Sequence, residues 1–356
     1  MLSLLRPCAF AGFIPTGCRI PSMINLRIFT TLCLVLCIGS AASHAFAAAP
    51  SWTEIARNEE TDPVSLSVQT GYLYGSTSYH TKFTGGESKL EFPLQTVLAG
   101  VSGEIGSTSS RTEPLLKLKA TWLANIGRGS GNMKDSDWLT DDNHPGKDIY
   151  SESDIKLDAV VVDIRGVYEP YPSAPLSIGI FAGYGYRHYR YEVSNTREVG
   201  YGPYATDFTG TFPGKSLNYD VTFEVPYVGF HVGSGTGAGF HAALDLGYSP
   251  WAAVTDTDDH LLRYKKSTSD TTGQVYLAEL NAQWDVTKDD LFQVSCEAMS
   301  ISTKGKQTQT WYRTVVVHDP LTGQTTTIYA GDTFSGIDDR IASLQTTLMA
   351  LFTHRF

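Results

Sequence analysis

The sequence is poor in the residues on which several classes of protein depend. Only 18% of its 356 residues are charged, and 27 Lys and Arg face 37 Asp and Glu, which gives a net charge of -10. Nucleic-acid binding needs a surplus of basic side chains, so no nucleic-acid partner is expected. The 5 cysteines are too few for a disulfide-stapled scaffold. Glycine (33), tyrosine (19) and phenylalanine (16) are abundant instead, and this composition favours strands and turns.

A largely apolar run near the N-terminus has the pattern of a secretory signal. Residues 28–38 are mostly apolar, follow a basic residue and precede small residues that end at Ala47. We expect residues 1–47 to be a signal peptide cleaved after Ala47, with Met23 as the true start. An uncleaved membrane anchor is the alternative, but the run is short for a membrane span.

Strict alternation of apolar and polar residues recurs along residues 48–356. Between Leu217 and Tyr227 the apolar side chains hold every odd position, and segments 116–122 and 276–286 repeat the pattern. A period of two is the signature of β-strands, because successive side chains point to opposite faces of a sheet. The alternation predicts about ten strands, near 63–80, 87–105, 114–126, 154–168, 176–194, 216–233, 239–256, 272–287, 290–304 and 339–356.

Three features favour a membrane barrel over a soluble sandwich, whose strands also alternate. Short turns alternate with long polar segments, aromatic residues such as Tyr184, Tyr186, Tyr189 and Tyr191 cluster near strand ends, and the last strand ends on Phe356. We therefore predict an all-β fold, one transmembrane antiparallel up-and-down β-barrel with long external loops. These loops are expected near residues 126–153, 194–216, 255–272 and 304–337.

Two carboxylates follow the third predicted strand at a spacing of two. Asp135 and Asp137 point the same way on an extended backbone, so both enter one small volume. Such a couple can hold a water molecule or a proton. The alternative is that both acids are solvated in a loop or bind calcium.

A second acidic group follows the seventh predicted strand. Asp256, Asp258 and His260 project to one side, and Asp258 is placed to orient an imidazole that takes a proton from water. A solvated loop or a cation site is again the alternative. Extending the alternation of residues 240–248 would turn these side chains toward lipid, so we predict a bulge or bend at Pro250.

At these two segments the sequence resembles the omptin family of outer-membrane endopeptidases. Gly131–Trp138 matches the family signature Gly-Asn-Met-x-Asp-x-Asp-Trp, and Asp258–His260 matches the family's Asp-x-His couple. The resemblance spans nearly all of residues 48–356. Other matches are His144-Pro145, Ala182-Gly183-Tyr184, Pro226-Tyr227-Val228-Gly229 and Tyr248-Ser249-Pro250-Trp251.

The resemblance implies a single protease domain, a ten-stranded barrel that projects from the bacterial outer membrane with its active groove facing the exterior. It implies hydrolysis of peptide bonds in peptides or proteins without a covalent intermediate, a metal or a cofactor. A water molecule would lie between Asp135 and Asp137 on one side and His260 on the other, and Asp258 would orient His260. The residues themselves suggest the same roles.

The resemblance also bears on substrate and lipid binding. Omptins cut beside basic residues with the help of two acids. Asp256 matches one as a substrate-binding residue, whereas Tyr79 stands where the other would fall. Omptins need lipopolysaccharide for activity, which implies an outer-membrane lipid partner near Tyr184, Arg187 and Arg190.

Three other functions fit a barrel of this size. A catalytically silent barrel would act as an adhesin, a small porin would conduct ions, and a lipid A deacylase would use Ser and His. About ten strands enclose too narrow a lumen for a wide channel. Both acidic couples are intact, which favours the protease.

Overall fold

The computed structural model describes residues 64–107, 114–139, 146–170, 176–234, 239–319 and 322–356. The predicted signal peptide and the predicted His144-Pro145 match lie outside these ranges. No helix within them is long and apolar enough to cross a membrane. The strands are β1 (Val64–Phe83), β2 (Gly86–Gly106), β3 (Leu115–Asn125), β4 (Gly129–Trp138), β5 (Ile149–Glu169), β6 (Leu176–Gly200), β7 (Gly210–Ser234), β8 (Phe240–His260), β9 (Lys265–Asp285), β10 (Asp290–Trp311), β11 (Val315–His318), β12 (Thr325–Ile328) and β13 (Thr333–Arg355).

The main sheet closes on itself, because β1 pairs antiparallel with both β2 and β13. Its 11 strands occupy ten positions in the ring, since β3 and β4 both lie between β2 and β5. The break between β3 and β4 contains Gly127, whose φ of 70° favours glycine. The Asn125 side chain braces the break by donating to the carbonyl of Leu157 (2.9 Å) and accepting from the amide of Ala159 (2.9 Å). The predicted ten-stranded barrel is confirmed.

The barrel wall has two halves of opposite polarity. We call the half nearest the four-residue turn between β8 and β9 the upper half, and the other the lower half. On lower β7, Val228 and Phe230 face outward and are 54% and 66% exposed, whereas on upper β7 Leu217 and Phe223 face inward and are buried. The lower half thus suits lipid outside, and the upper half suits water outside with an apolar interior.

The interior of the lower half is filled by charges that pair with one another. Arg165 on β5 donates to Asp245 (3.0 Å) on β8 and to Glu279 (2.7 Å) on β9. Its Nε also donates to the Tyr227 hydroxyl (3.1 Å), which donates in turn to Asp163 (2.8 Å). Buried charges require such partners, so this network packs the lumen as an apolar core would elsewhere.

Most of the predicted strands are too short, and the missing residues lie mainly at their upper ends. The segment predicted as a long loop over 255–272 consists of the ends of β8 and β9 and one tight turn. The upper ends of these strands carry polar side chains on both faces, which we interpreted as loop sequence. The aromatic prediction was also wrong in part, because Tyr189 and Tyr191 are fully buried inside the barrel, whereas Tyr184 faces outward.

The predicted irregularity at Pro250 is confirmed. The register between β8 and β9 shifts between Ser249 and Ala252. Below the shift Tyr248 faces outward, and above it Ala252 is fully buried and faces inward. The shift therefore turns the upper part of β8, which ends at His260, toward the barrel interior.

Candidate active site

The first acidic couple lies on a strand rather than in a loop. On β4, Asp135 is in register with Leu90 of β2 and Ser151 of β5, and its side chain points into the barrel. Asp135 and Asp137 are both buried. Burial raises the pKa of Asp135 well above its ordinary value, and the nearby charge of Asp137 adds to the shift. Asp135 therefore holds a proton to a higher pH than an ordinary carboxyl group does.

The second couple ends β8. His260 Nε2 lies 2.9 Å from Asp258 Oδ2, and both residues have little exposed side chain. Burial lowers the pKa of His260, although the Asp258 charge opposes this shift. Burial alone would raise the pKa of Asp258, but the charge and hydrogen bond of His260 outweigh it and lower this pKa. The couple thus consists of an ionised carboxylate and a neutral imidazole, which is a proton acceptor.

The fold brings the two couples together. Asp135 and Asp137 come from β4, Asp258 and His260 come from β8, and all four line one groove in the upper half. Groups that can serve as acid, base and orienting residue therefore line a single open groove. Within the described ranges, no group of three or more His, Cys, Asp or Glu has the spacing of a metal site.

Two basic residues of the groove were missed by sequence reasoning. Arg263, in the turn after His260, approaches Asp137 with 4.0 Å between Nη2 and Oδ2. Lys265, the first residue of β9, lines the same groove, and burial lowers its pKa to about 8. Both lie within five residues of His260, so a search of the flanking turn for cations would have found them.

Asp256 lies deeper in the barrel than the groove. It is 5% exposed and does not line the groove, and its Oδ2 accepts a hydrogen bond from the Tyr219 hydroxyl (3.0 Å). Burial raises its pKa to about 8, and the charge of Asp339 on β13 adds to the shift. Asp339 had no signal in the sequence, because only the closure of the barrel brings β13 near β8. A substrate-binding role for Asp256 stays a prediction.

Replacing Asp339 by asparagine is expected to stabilise the barrel at alkaline pH. Burial raises the pKa of Asp339 to about 6, so the folded state holds this proton more tightly than the unfolded chain. Its contribution to stability is complete below about pH 4 and is lost as the pH rises through about 6. The free energy of unfolding in detergent micelles should exceed wild type by about 2 kcal/mol near pH 8, and by much less near pH 4.

The matched control is Asp338→Asn, which changes the neighbouring acid, whose side chain is 71% exposed and pairs with Lys306. This variant should alter stability little at either pH. If the stability of Asp339→Asn and of wild type had the same pH dependence, the pKa of Asp339 would not be raised in the folded state.

The structure places the predicted lipopolysaccharide residues on two different faces of β6. Tyr184 and Arg190 face outward, and Arg190 Nε lies 2.7 Å from Asp220 Oδ1 on the outer wall. Arg187 faces the lumen, where it is buried and forms an ion pair with Glu297. Its prediction was wrong, because a side chain inside the barrel cannot contact lipid. The odd position of Arg187, against the even positions of the other two, accounts for the difference.

Comparison of the sequence with known proteins finds one family and several outer-membrane proteins. The omptin family model matches residues 60–318. The chain is 24% identical over 255 residues to a plasminogen activator from Yersinia pestis, covering 66% of this chain and 75% of that protein. It is 27% identical over 195 residues to protease 7 from Escherichia coli O157:H7, covering 49% of this chain and only 57% of that protein.

A solved structure shows the same fold. The outer membrane protease OmpT from Escherichia coli superposes with a TM-score of 0.65 at 17% identity, over 87% of this chain and 99% of that one. At this identity the likeness concerns the barrel alone. The family model, however, matches well over half of the sequence. This chain therefore belongs to the omptin family of outer-membrane proteases.

Proposed function

We propose that this protein is an endopeptidase that hydrolyses peptide bonds at the outer face of the outer membrane, with water as the nucleophile. One observation carries the proposal: an imidazole held by a carboxylate lines the same groove as a buried acid couple in which the pKa of Asp135 is raised. Peptides and proteins are the substrates expected of such a groove, and the protease names of its relatives support this class.

In the proposed reaction, His260 acts as the general base. Its Nε2 is paired with Asp258, so the opposite ring nitrogen takes the proton from the attacking water. Asp258 orients the ring and stabilises the imidazolium that forms. The Asp135–Asp137 couple positions the same water and supplies a proton to the leaving amine. No covalent intermediate with the protein is required.

We also propose that lipopolysaccharide binds the outer wall and supports activity. Tyr184 and Arg190 lie on the outward face of β6, where the apolar band of the lower half gives way to polar side chains. A phosphate-bearing lipid headgroup matches the charge of Arg190, although Asp220 competes for this side chain. Arg187 is not part of this site.

The function can be tested with the purified protein in detergent micelles, with and without added lipopolysaccharide. A mixed peptide library is incubated with wild type and with Asp135→Ala, and the new termini are identified by mass spectrometry. We expect internal cleavage by wild type, little by Asp135→Ala, and a higher rate with lipopolysaccharide. A folded wild type that cuts nothing, or a variant that cuts equally well, would overturn the proposal and favour a barrel that acts as an adhesin.

A further inference from the structure

Tyr79 makes a contact inside the candidate site that the proposed reaction has not used. Its side chain projects from β1 into the barrel and is 3% exposed. The Tyr79 hydroxyl donates a hydrogen bond to Oδ2 of Asp258. The same oxygen accepts the hydrogen bond of His260 Nε2, so one carboxylate oxygen serves both donors.

The Tyr79 ring is held by other aromatic rings. Its centroid lies 5.3 Å from that of Tyr219 and 6.3 Å from that of Phe92. Phe92 and Tyr219 stack on each other at 4.3 Å, and Tyr191 packs against Phe92 at 4.9 Å. Close ring packing leaves few side-chain rotamers. The direction of the Tyr79 hydroxyl is therefore set before substrate binds.

Tyr79 can act toward Asp258 only as a donor. Burial raises its pKa well above the ordinary value, and the Asp258 charge adds to the shift, so the phenol keeps its proton. A hydrogen bond to an ionised carboxylate stabilises the charged form and reduces its basicity. Asp258 is thereby held ionised and in a single orientation.

We propose that Tyr79 is a positioning residue that fixes the Asp258 carboxylate and, through it, sets the orientation and basicity of His260. The proposal rests on the proposed function, in which His260 takes the proton from water. Tyr79 itself touches neither substrate nor water in this scheme. The family pattern has an acid where this chain has Tyr79. A carboxylate there would repel Asp258 instead of donating to it.

Other charged groups also face the couple and stay in place when Tyr79 is changed. Asp135 faces it from β4 and Asp256 from β8, and both carry raised pKa values because they are buried. Arg263 in the turn and Lys265 on β9 oppose protonation of His260. Asp339 on β13 also lies close enough to Asp258 for their charges to interact. These five groups set the baseline for any titration of His260.

Tyr79→Phe removes the hydroxyl and keeps the ring. Without this donor the Asp258 carboxylate becomes more basic and stabilises the imidazolium more strongly, so the pKa of His260 should rise. Because the orientation of Asp258 and His260 is no longer fixed, we expect kcat to fall about tenfold with KM nearly unchanged. Because the pKa of His260 rises, we expect the acid limb of the pH dependence of kcat to move up by about half to one pH unit. Unchanged kcat and an unchanged acid limb would overturn the proposal.

Tyr191→Phe is the matched control. It makes the same change in the same group of buried rings, but on a ring that packs against Phe92 and not against Asp258. Its acid limb should coincide with wild type. An equal shift in Tyr191→Phe and Tyr79→Phe would assign the effect to aromatic packing and overturn the proposal.

A measurement that needs no turnover separates this proposal from the proposed function. The His260 imidazole is titrated by NMR in protein labelled at histidine, and its signal is assigned by its loss in His260→Ala. A raised pKa in Tyr79→Phe supports the positioning role even if no peptide is cut, whereas identical titrations overturn it. Absence of cleavage by wild type concerns the proposed function alone.

Discussion

His260→Ala is expected to lower kcat/KM about a thousandfold, the loss typical when a general base is removed. The imidazole is the only neutral base that we assign to the attacking water, and its partner Asp258 has a lowered pKa that leaves it a poor substitute. Initial rates on a single peptide taken from the library assay give the ratio directly. KM should change little, because the ring acts on water and not on the bound peptide.

Two further variants make this prediction specific. Adding Asp258→Asn to His260→Ala should cost little more than His260→Ala alone, since both residues act as one unit. His354→Ala should keep full activity, because His354 forms a similar pair with Asp290 (2.8 Å) near the opposite end of the barrel. A loss below tenfold in His260→Ala, or strictly additive losses in the double variant, would contradict the assigned roles.

Arg165→Ala is expected to destabilise the barrel by about 3–5 kcal/mol, because it leaves buried carboxylates without their cation. The guanidinium contacts Asp245 and Glu279 at 3.0 and 2.7 Å, and the Arg165 side chain is only 10% exposed. The loss would appear as a lower urea midpoint for unfolding in detergent micelles. Unfolding is detected by electrophoresis, in which the unfolded chain migrates more slowly.

Arg128→Ala removes an ion pair of similar geometry from the outer surface. Arg128 and Asp158 lie 2.6 Å apart, but both side chains are 41% exposed, so the expected cost is at most about 1 kcal/mol. Equal costs for Arg128→Ala and Arg165→Ala would contradict the view that the lumen charges hold the lower half together.

The presence of the barrel strands was predictable from alternation, but their extent was not. Alternation identifies the strands wherever one face is apolar, outward as at Val228 and Phe230 in the lower half, or inward as at Leu217 and Phe223 in the upper half. At the upper ends both faces are polar, as on β9 where Ser267 faces inward and Lys266 outward, and local sequence cannot tell such a strand from a loop. Pairing with both neighbours keeps these segments extended, and that is a tertiary effect.

The candidate site was predictable where its residues are close in sequence. Asp135 with Asp137, and Asp258 with His260, have the spacing of two that places both side chains on one face of a strand. Tyr79 was noticed only as a departure from the family pattern, because its contact with Asp258 spans 179 positions of the chain. Such contacts depend on ring closure and inward packing, which no local pattern records.

The inversion of polarity along each strand makes errors of pairing unusually costly. A slip by one residue would turn lumen charges such as Arg165 toward lipid and, on the same strand, expose upper core residues such as Leu157 to water. Lipid around the lower half and water around the upper half therefore both disfavour the same one-residue shift of a strand. The bulge at Pro250 is the point where β8 makes a permitted change of face, and without it Asp258 and His260 would lie outside the barrel.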